Sequence, residues 1–272
     1  MFPAPFEYVK ANSIRDAISV LSEDDDAKVL AGGHSLLPLM KLRLAAPGTL
    51  VDIGGIRELS YIEDKGDHIA IGALTRHHDI EHSSLLKESV PFLSYVASLV
   101  GDPSVRHRGT IGGSISHGDG ASDLPAAVLA LDGDLVVEGP SGERIIKASE
   151  FFIGFLETAL DQGEILKEIR VPKITGGWSY QKFNRRAQDW AIVGVAAVSV
   201  GETKVSLVNM GSVPLRAYAT EETLKNGGSI EQASEKASEG LQPPSDLNAS
   251  SEYRKHLAKV LVNRALTETL AQ

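Results

Sequence analysis

The stretch Lys28-Val29-Leu30-Ala31-Gly32-Gly33-His34-Ser35-Leu36-Leu37-Pro38 decides how the first part of this 272-residue chain folds. Residues 27–30 are typical of a short strand, and the glycine pair that follows indicates a tight turn. Ser35 is placed to cap a short helix, and Pro38 suits the first turn of that helix. A glycine turn between a strand and a helix is therefore predicted here.

The residues on either side of this turn complete a small βαβ unit over 1–55. Ser13 can cap a helix whose apolar side chains recur at helical spacing, namely Ile14, Ala17, Ile18 and Leu21. The acidic run 23–26 ends this helix as a solvated turn. Residues 50–53 form the next predicted strand.

A second glycine pair lies in Thr110-Ile111-Gly112-Gly113-Ser114. Glycines let main-chain N–H groups approach an anion without interference from a β-carbon, and a following helix N-terminus adds a favourable dipole. Each pair alone is weak evidence, because tight turns also use glycine. Neither segment follows G-x-G-x-x-G, and the chain has no G-x-x-x-x-G-K-[ST] motif. These residues predict a phosphate-bearing ligand and leave open whether it is a dinucleotide.

The composition excludes several classes of function. With 36 acidic and 27 basic residues the formal net charge is −9, which argues against a nucleic-acid partner. The chain has no cysteine, so it cannot form disulfides or bind an iron–sulfur cluster through thiolates. Because no apolar run approaches about 20 residues, we predict no transmembrane segment. The first residues lack the pattern of a signal peptide, so we predict a cytoplasmic location, with any contact to the inner face of the membrane made through partners.

The rest of the chain alternates short strands with helices and then changes character. Between 57 and 174 we predict strands at 68–72, 135–138 and 165–171 and helices at 77–86, 93–100 and 124–131. Residues 139–142 turn a hairpin. After a boundary at 174–177, strands at 179–184, 193–200 and 204–210 predict an antiparallel three-stranded meander. Helices follow at 220–225, 230–239 and 252–270.

Several strings of the sequence resemble a known family. Residues 30–38, with Lys41-Leu42-Arg43 soon after, resemble the FAD-binding medium subunit of molybdenum hydroxylases, the xanthine oxidase-like family, most nearly its carbon monoxide dehydrogenase type. The likeness continues, in order, at 71–75, 105–114, 121–125, 151–152, 164–166, 253–254 and 264–266. It covers nearly the whole chain.

This resemblance implies an α+β fold. It implies an FAD-binding domain of the vanillyl-alcohol-oxidase-like (PCMH) type at 1–174, in subdomains of about 1–56 and 57–174. A small C-terminal domain of the CO dehydrogenase flavoprotein type would follow at 175–272, with the antiparallel three-stranded sheet and helices.

The resemblance also implies which residues bind the cofactor. The two glycine segments would hold the FAD pyrophosphate through Leu30, Ala31, Gly32, Gly33, His34, Ser35, Leu36, Thr110, Ile111, Gly112, Gly113 and Ser114. Asp123 would accept hydrogen bonds from ribose or ribityl hydroxyls, Leu166 would pack on the flavin, and Lys182 would approach it as a source of positive charge. Trp190 stands where some relatives place a tyrosine; it could stack on the flavin or be a core residue. No catalytic residue and no metal ligand is assigned to this chain.

Partners follow from the same resemblance. A large molybdopterin subunit and a small subunit with two [2Fe–2S] clusters would join this chain in a dimer of heterotrimers. Electrons would pass from the clusters to FAD and then to a quinone or NAD. The substrate stays open among carbon monoxide, an aldehyde and an N-heterocycle. The alternatives are a docking subunit that has lost flavin and a stand-alone flavin oxidoreductase.

Three other groups of residues admit rival interpretations. His78 and His82 lie one helical turn apart, as zinc ligands can, but no glutamate is placed as a general base and no third ligand is evident, which favours a solvated helix face. Arg106-His107-Arg108 could add charge near a phosphate, form a subunit contact, or be a surface loop. His34, His117 and Asp119 with nearby serines could suggest a hydrolytic triad, but the G-x-S-x-G elbow is absent.

Overall fold

The computed structural model describes residues 2–272 and begins with a parallel three-stranded sheet in the order β1-β3-β2. The elements of this unit are β1 (Glu7–Lys10), α1 (Ile14–Glu23), β2 (Lys28–Leu30), α2 (Leu36–Lys41) and β3 (Thr49–Asp52). Ser13 caps α1 as predicted, since its hydroxyl accepts a hydrogen bond from the Asp16 N–H at 3.1 Å. The four apolar residues predicted for the α1 face are all buried.

The central unit is built on a five-stranded antiparallel sheet in the order β4-β5-β10-β6-β7. Its first elements are β4 (Ile62–Asp64), β5 (His68–Gly72), α3 (His77–His82), α4 (Ser84–Ser89), α5 (Pro91–Ser98), α6 (Pro103–Arg106), α7 (Ile111–His117) and α8 (Asp123–Ala130). They are followed by β6 (Asp134–Gly139), β7 (Gly142–Lys147), α9 (Ala148–Phe151), β8 (Phe152–Gly154), β9 (Glu157–Thr158) and β10 (Ile165–Pro172). The hairpin predicted at 139–142 joins β6 to β7.

Two predictions in this unit are wrong in detail. The single helix expected at 77–86 is broken at Ser83, whose extended backbone ends α3 and whose hydroxyl caps α4 by accepting from the Leu86 N–H. The second glycine pair is not a loop. Thr110 caps α7, and both glycines lie in its first turn.

The last unit is an antiparallel sheet in the order β11-β12-β13-β14, packed between helices. Its elements are β11 (Trp178–Phe183), β12 (Val193–Val200), β13 (Glu202–Val208), β14 (Leu215–Arg216), α10 (Tyr218–Lys225), α11 (Ile230–Glu235) and α12 (Ser251–Leu270). The prediction of three strands therefore missed β14, which is only two residues long. The helix predicted at 230–239 ends at Glu235.

Strand β12 explains how this sheet joins the central unit. Val195 and Ala197 belong to a core shared with α12, whereas Ala196 and Val198 belong to the core that includes α8. Because both faces of β12 are buried, its sequence is an almost continuous apolar run instead of an alternating one. The α+β fold predicted from the resemblance is confirmed. None of the helices within residues 2–272 has the length and apolar character needed to cross a bilayer.

Candidate functional site

A cleft of about 640 Å³ lies where the three units meet. Its walls come from the first glycine segment, the start of α7, the turn before β10 and the stretch that follows β11. This volume is in the range of small-molecule and cofactor sites. The sequence segments that carry the family resemblance thus meet at one place.

The first glycine segment presents free main-chain donors. Gly33 has a φ of 75°, a left-handed conformation that favours glycine. Within residues 2–272 no acceptor takes the main-chain N–H groups of Gly32, Gly33, His34 or Ser35. The Ser35 hydroxyl makes no cap hydrogen bond with α2, which leaves it available as well. Four successive amides and a hydroxyl at the edge of a cleft suit an anionic oxygen-rich ligand.

The second glycine segment differs, because its amides already have protein partners. The Gly112 N–H donates to the Ala73 carbonyl at 2.9 Å, the Gly113 N–H to the Thr110 hydroxyl at 3.2 Å and the Ser114 N–H to the Thr110 carbonyl at 3.0 Å. From the sequence, the two segments are expected to donate alike. The structure shows that the first one holds the free amides, while the second forms the opposite wall.

The two segments lie against each other, and glycine makes the contact possible. A β-carbon added at Gly32 would lie 2.3 Å from the Arg108 carbonyl oxygen, a distance that no side chain tolerates. A β-carbon added at Gly113 would lie 3.9 Å from the β-carbon of Ala31, across the same gap. Any ligand of the first segment is therefore close to the start of α7.

In the wall of the cleft, Asp123 and Lys182 form a buried ion pair. Their side chains are 8% and 6% exposed, and Lys182 Nζ lies 2.8 Å from Asp123 Oδ2 and 2.8 Å from the Leu99 carbonyl. The Tyr180 hydroxyl donates to Asp123 Oδ1 at 2.5 Å. Burial raises the pKa of Asp123 above its usual value, although the charge and hydrogen bond of Lys182 oppose that shift. Burial, and after it the neighbouring Asp123 carboxylate, raise the pKa of Tyr180.

Two apolar side chains complete the cleft. Leu166 is buried at the start of β10, and the strand pairing with β6 shifts by one residue immediately after it. Such a β-bulge can re-aim a side chain toward a site. Trp190 is 59% exposed and lines the cleft, so the interpretation as a core residue is wrong.

Most residues predicted to bind the cofactor line this cleft: Ala31, Gly32, Gly33, His34, Ser35, Leu36, Thr110, Gly112, Gly113, Ser114, Asp123, Leu166, Lys182 and Trp190. Leu30 and Ile111 do not line it. Ile111 is fully buried in the core, and the Leu30 side chain would lie 3.3 Å from a β-carbon added at Gly33. These two residues support the glycine segments from behind.

The basic tripeptide before α7 is mostly engaged elsewhere. Arg106 Nε donates to Glu81 Oε2 at 2.7 Å, and its guanidinium also contacts the Val100 carbonyl. His107 stacks on His78 with ring centroids 4.1 Å apart. Arg106 and His107 therefore serve contacts with the helices around them, and the structure does not offer them to the cleft as free charges.

Sequence reasoning missed two parts of the site. One is the turn at 160–165, which lines the cleft and is tied to the first unit because Gln162 donates to the Leu21 carbonyl at 2.5 Å. The other is His77, a buried cleft residue whose Nδ1 has no partner within residues 2–272. The turn could have been predicted from the resemblance, because residues 164–166 are one of the strings that resemble the family. Nothing in the local sequence distinguished His77 from His78 and His82 on the same helix.

Burial lowers the pKa of His77 to about 4, and the nearby His34 and Arg106 add to the shift. At a pH above the ordinary pKa of 6.5 the imidazole is neutral in both the folded and the unfolded protein. At a pH between about 6.5 and about 4, only the unfolded protein binds a proton at this residue. The folded protein therefore loses stability as the pH falls from about 6.5 to about 4, by roughly 3 kcal/mol in total from this residue.

We expect His77→Leu to reduce the dependence of the unfolding free energy on pH between 6.5 and 4, measured by urea denaturation. Equal slopes for the two proteins would contradict this assignment.

Comparison with known proteins places the chain in a family. Residues 4–174 match the family described as FAD binding domain in molybdopterin dehydrogenase, and residues 178–269 match the CO dehydrogenase flavoprotein C-terminal domain. The chain is 38% identical to the carbon monoxide dehydrogenase medium chain of Hydrogenophaga pseudoflava, over 100% of this chain and 99% of that one. It is 36% identical to the glyceraldehyde dehydrogenase medium chain of Sulfolobus acidocaldarius, over 98% and 99% of the two.

A solved structure agrees with the sequence comparison. The structure of a carbon monoxide dehydrogenase from Hydrogenophaga pseudoflava that lacks the Mo-pyranopterin moiety of its cofactor contains a chain that superposes with a TM-score of 0.96. That match has 40% sequence identity and covers 100% of this chain and 99% of the other. The fold, the family models and the relatives that match over their whole length agree. The chain therefore belongs to the family of FAD-binding medium subunits of molybdopterin-dependent hydroxylases, which are the flavoprotein components of these oxidoreductases.

Proposed function

We propose that this chain holds FAD in the cleft and carries electrons from the [2Fe–2S] clusters of a partner subunit to an external acceptor. The single observation that carries the proposal is the run of free main-chain N–H groups from Gly32 to Ser35, facing α7 across a narrow gap. A diphosphate needs several donors close together, and this segment supplies them without a basic side chain.

We assign the pyrophosphate to the first segment and the adjacent wall of α7. The amides of Gly32, Gly33, His34 and Ser35 would donate to its oxygens, and the hydroxyl of Ser114 lies on the opposite side. The contact between Gly32 and the Arg108 carbonyl keeps the two walls together, so the donors are in place before the ligand arrives. Such preorganisation lowers the entropic cost of binding.

The remaining cleft residues would fix the flavin ring and the sugar chain. Bound FAD supplies the capacity to accept and release electrons, which no side chain here possesses. Leu166 would pack against the ring and Trp190 would cover it at the open side. Two N–H groups of the Lys182 ammonium are used by Asp123 and Leu99, so its third N–H is the one left for the cofactor.

Asp123 has fewer free lone pairs for the cofactor than the resemblance implied. Each of its carboxylate oxygens already accepts one hydrogen bond from the protein, from Tyr180 and from Lys182. A carboxylate has about four lone-pair positions, so a ribose or ribityl hydroxyl could use those that remain. We therefore propose that Asp123 both orders Lys182 and accepts from the cofactor.

The partners would be a large molybdopterin subunit and a small [2Fe–2S] subunit in a dimer of heterotrimers. The relatives described above are medium chains, and this chain has no cysteine with which to hold a cluster itself. The β8–β9 hairpin exposes Ile153 and Phe155, the latter to 72%, which suits a surface that another chain covers. The cytoplasmic location and the domain boundary at 174/175 stay predictions.

The substrate would be chosen outside this chain. One relative belongs to a carbon monoxide dehydrogenase and another to a glyceraldehyde dehydrogenase, although both are similar to this chain over their whole length. Carbon monoxide, an aldehyde and an N-heterocycle therefore all remain open. The external acceptor, a quinone or NAD, would reach the flavin from the open side of the cleft near Trp190.

The test is to purify the chain with its co-expressed partners, reduce the complex anaerobically with dithionite, and add a quinone or NAD in turn. We expect one FAD per medium chain. We also expect one of the two acceptors to reoxidise the flavin, which is measured as the return of the absorbance of oxidised flavin. A fully assembled complex from which no FAD can be extracted would instead support the docking subunit without flavin. Turnover of an organic substrate by the isolated flavin-loaded chain would support the stand-alone oxidoreductase.

A further inference from the structure

Outside the cleft, three imidazoles gather on the surface beside α3. His78 lies between His82 and His107, with ring centroids 4.2 Å and 4.1 Å away. The carboxylate of Glu81 is beside them. No third ligand for the His78/His82 pair is evident from the sequence, but in the structure Glu81 lies beside them on the same helix turn, and His107 stacks on His78 from the end of α6. We refer to His78, Glu81 and His82, backed by His107, as the histidine cluster.

The spacing of the ligand atoms suits a small metal ion. One nitrogen of His78, one of His82 and one oxygen of Glu81 all lie within 4.8 Å of one another. Ligand atoms at about 2 Å from a tetrahedral zinc ion are roughly 3.4 Å apart, so small side-chain rotations would complete the site. Two imidazoles with a carboxylate and one open position are ligands that zinc accepts.

Main-chain carbonyls already set the tautomers that metal binding requires. His82 Nδ1 lies 2.9 Å from the His78 carbonyl, and His107 Nδ1 lies 2.7 Å from the Pro103 carbonyl. Because a carbonyl can only accept, each Nδ1 carries the proton, and in the neutral ring Nε2 keeps its lone pair. Metal-binding histidines usually have their second nitrogen held in this way.

Glu81 is oriented by a neighbour as well. Arg106 Nε donates to its Oε2 at 2.7 Å, and the two side chains are mostly buried. This contact orients the carboxylate and leaves Oε1 as the oxygen free to bind a cation. It also removes Glu81 as a general base, since its charge is compensated. The cluster is therefore suited to hold a metal and not to perform hydrolysis.

We propose that the histidine cluster is a zinc site, with His78, His82 and Glu81 as protein ligands and the fourth position taken by water. Its affinity should fall as the imidazoles become protonated, because a protonated ring has no lone pair to offer. The proposal does not depend on FAD, so it stands or fails separately from the function proposed above.

The test is isothermal titration of the purified full-length chain with ZnCl₂ at pH 7.5, together with Co²⁺ spectroscopy to report the coordination geometry. We expect one saturable site and a Co²⁺ spectrum typical of tetrahedral coordination. His82→Ala and Glu81→Gln should each weaken zinc binding at least tenfold. His256→Ala is the matched control, because it removes an exposed histidine from a helix far along the chain, and it should bind zinc like the original protein.

Two results would overturn the proposal. One is the absence of a saturable site, and the other is unchanged affinity in His82→Ala, which would place any bound zinc on other histidines. His82 is exposed, so its replacement should leave the fold intact, and circular dichroism checks this. If Glu81→Gln unfolds because Arg106 loses its partner, His78→Ala provides the second measurement.

Discussion

Replacing Gly113 with aspartate is expected to remove most FAD from the purified protein, whereas replacing it with asparagine should have a much smaller effect. Both side chains place a β-carbon at the same position, 2.8 Å from the Thr110 hydroxyl, so the steric disturbance is matched. Only aspartate brings a negative charge to the wall that faces Ala31 and the proposed diphosphate. The comparison therefore isolates electrostatics from shape.

The expected size follows from Coulomb's law. A carboxylate about 6 Å from two negative charges costs about 5 kcal/mol at an effective dielectric of 20, and solvent at the cleft edge reduces this to about 2 to 3 kcal/mol. Roughly a hundredfold weaker binding of FAD is therefore expected relative to Gly113→Asn. An acidic residue in the first turn of a helix stabilises the helix, so the fold should survive.

The measurement is the FAD content after dialysis and the dissociation constant by fluorescence titration of the apoprotein. Circular dichroism confirms that both variants are folded. If the aspartate and asparagine variants retained FAD equally, the diphosphate would not lie between Ala31 and Gly113. The assignment of the pyrophosphate would then have to be given up.

The second large effect is expected at the buried ion pair in the wall of the cleft. Asp123→Asn keeps the shape of the side chain but leaves the Lys182 ammonium without its counter-charge in an almost fully buried position. Removing one partner of such a pair typically costs about 3 to 5 kcal/mol. We expect a loss of that order in the free energy of unfolding, measured by urea denaturation with circular dichroism.

The double variant Asp123→Asn/Lys182→Met is the control for this interpretation. It removes the uncompensated charge and keeps a side chain of similar length, so it should be more stable than Asp123→Asn alone. A single variant that lost less than about 1 kcal/mol would show that solvent screens the pair, as it does for surface ion pairs. A double variant no more stable than the single one would show that Asp123 acts through Tyr180 instead of Lys182.

Local features of the chain could be predicted because their causes are local. Ser13 caps α1 through an amide three residues away, and the apolar face of that helix follows from spacing alone. The hairpin at 139–142 depends on its own glycines. The predictions went wrong where a helix cap or a strand pairing, and not the apolar pattern, set the bounds of an element. Strand β14 has two residues and exists through its pairing with β13, which no local pattern announces.

Part of the candidate site could likewise be predicted from the sequence, and part only from the structure. The family-like strings identified the first glycine segment and most of the residues that line the cleft, and the structure brings these together. The strings could not show that the amides of the second segment are occupied. Those donors are taken up by Ala73 and by the Thr110 hydroxyl, so only the folded chain reveals that the free donors are on one side.

By itself, the sequence determined the strand–turn–helix around Gly32 and Gly33, because turn geometry and periodicity act over a few residues. The α+β class and the family came from the resemblance of several strings to a known family, and the comparisons confirm both. Only the tertiary structure decided which distant groups meet. Asp123 and Lys182 are 59 positions apart, and His107 reaches His78 from another helix. Charge, burial and hydrogen-bond satisfaction depend on such contacts, and these properties are what make the cleft and the histidine cluster able to bind a ligand.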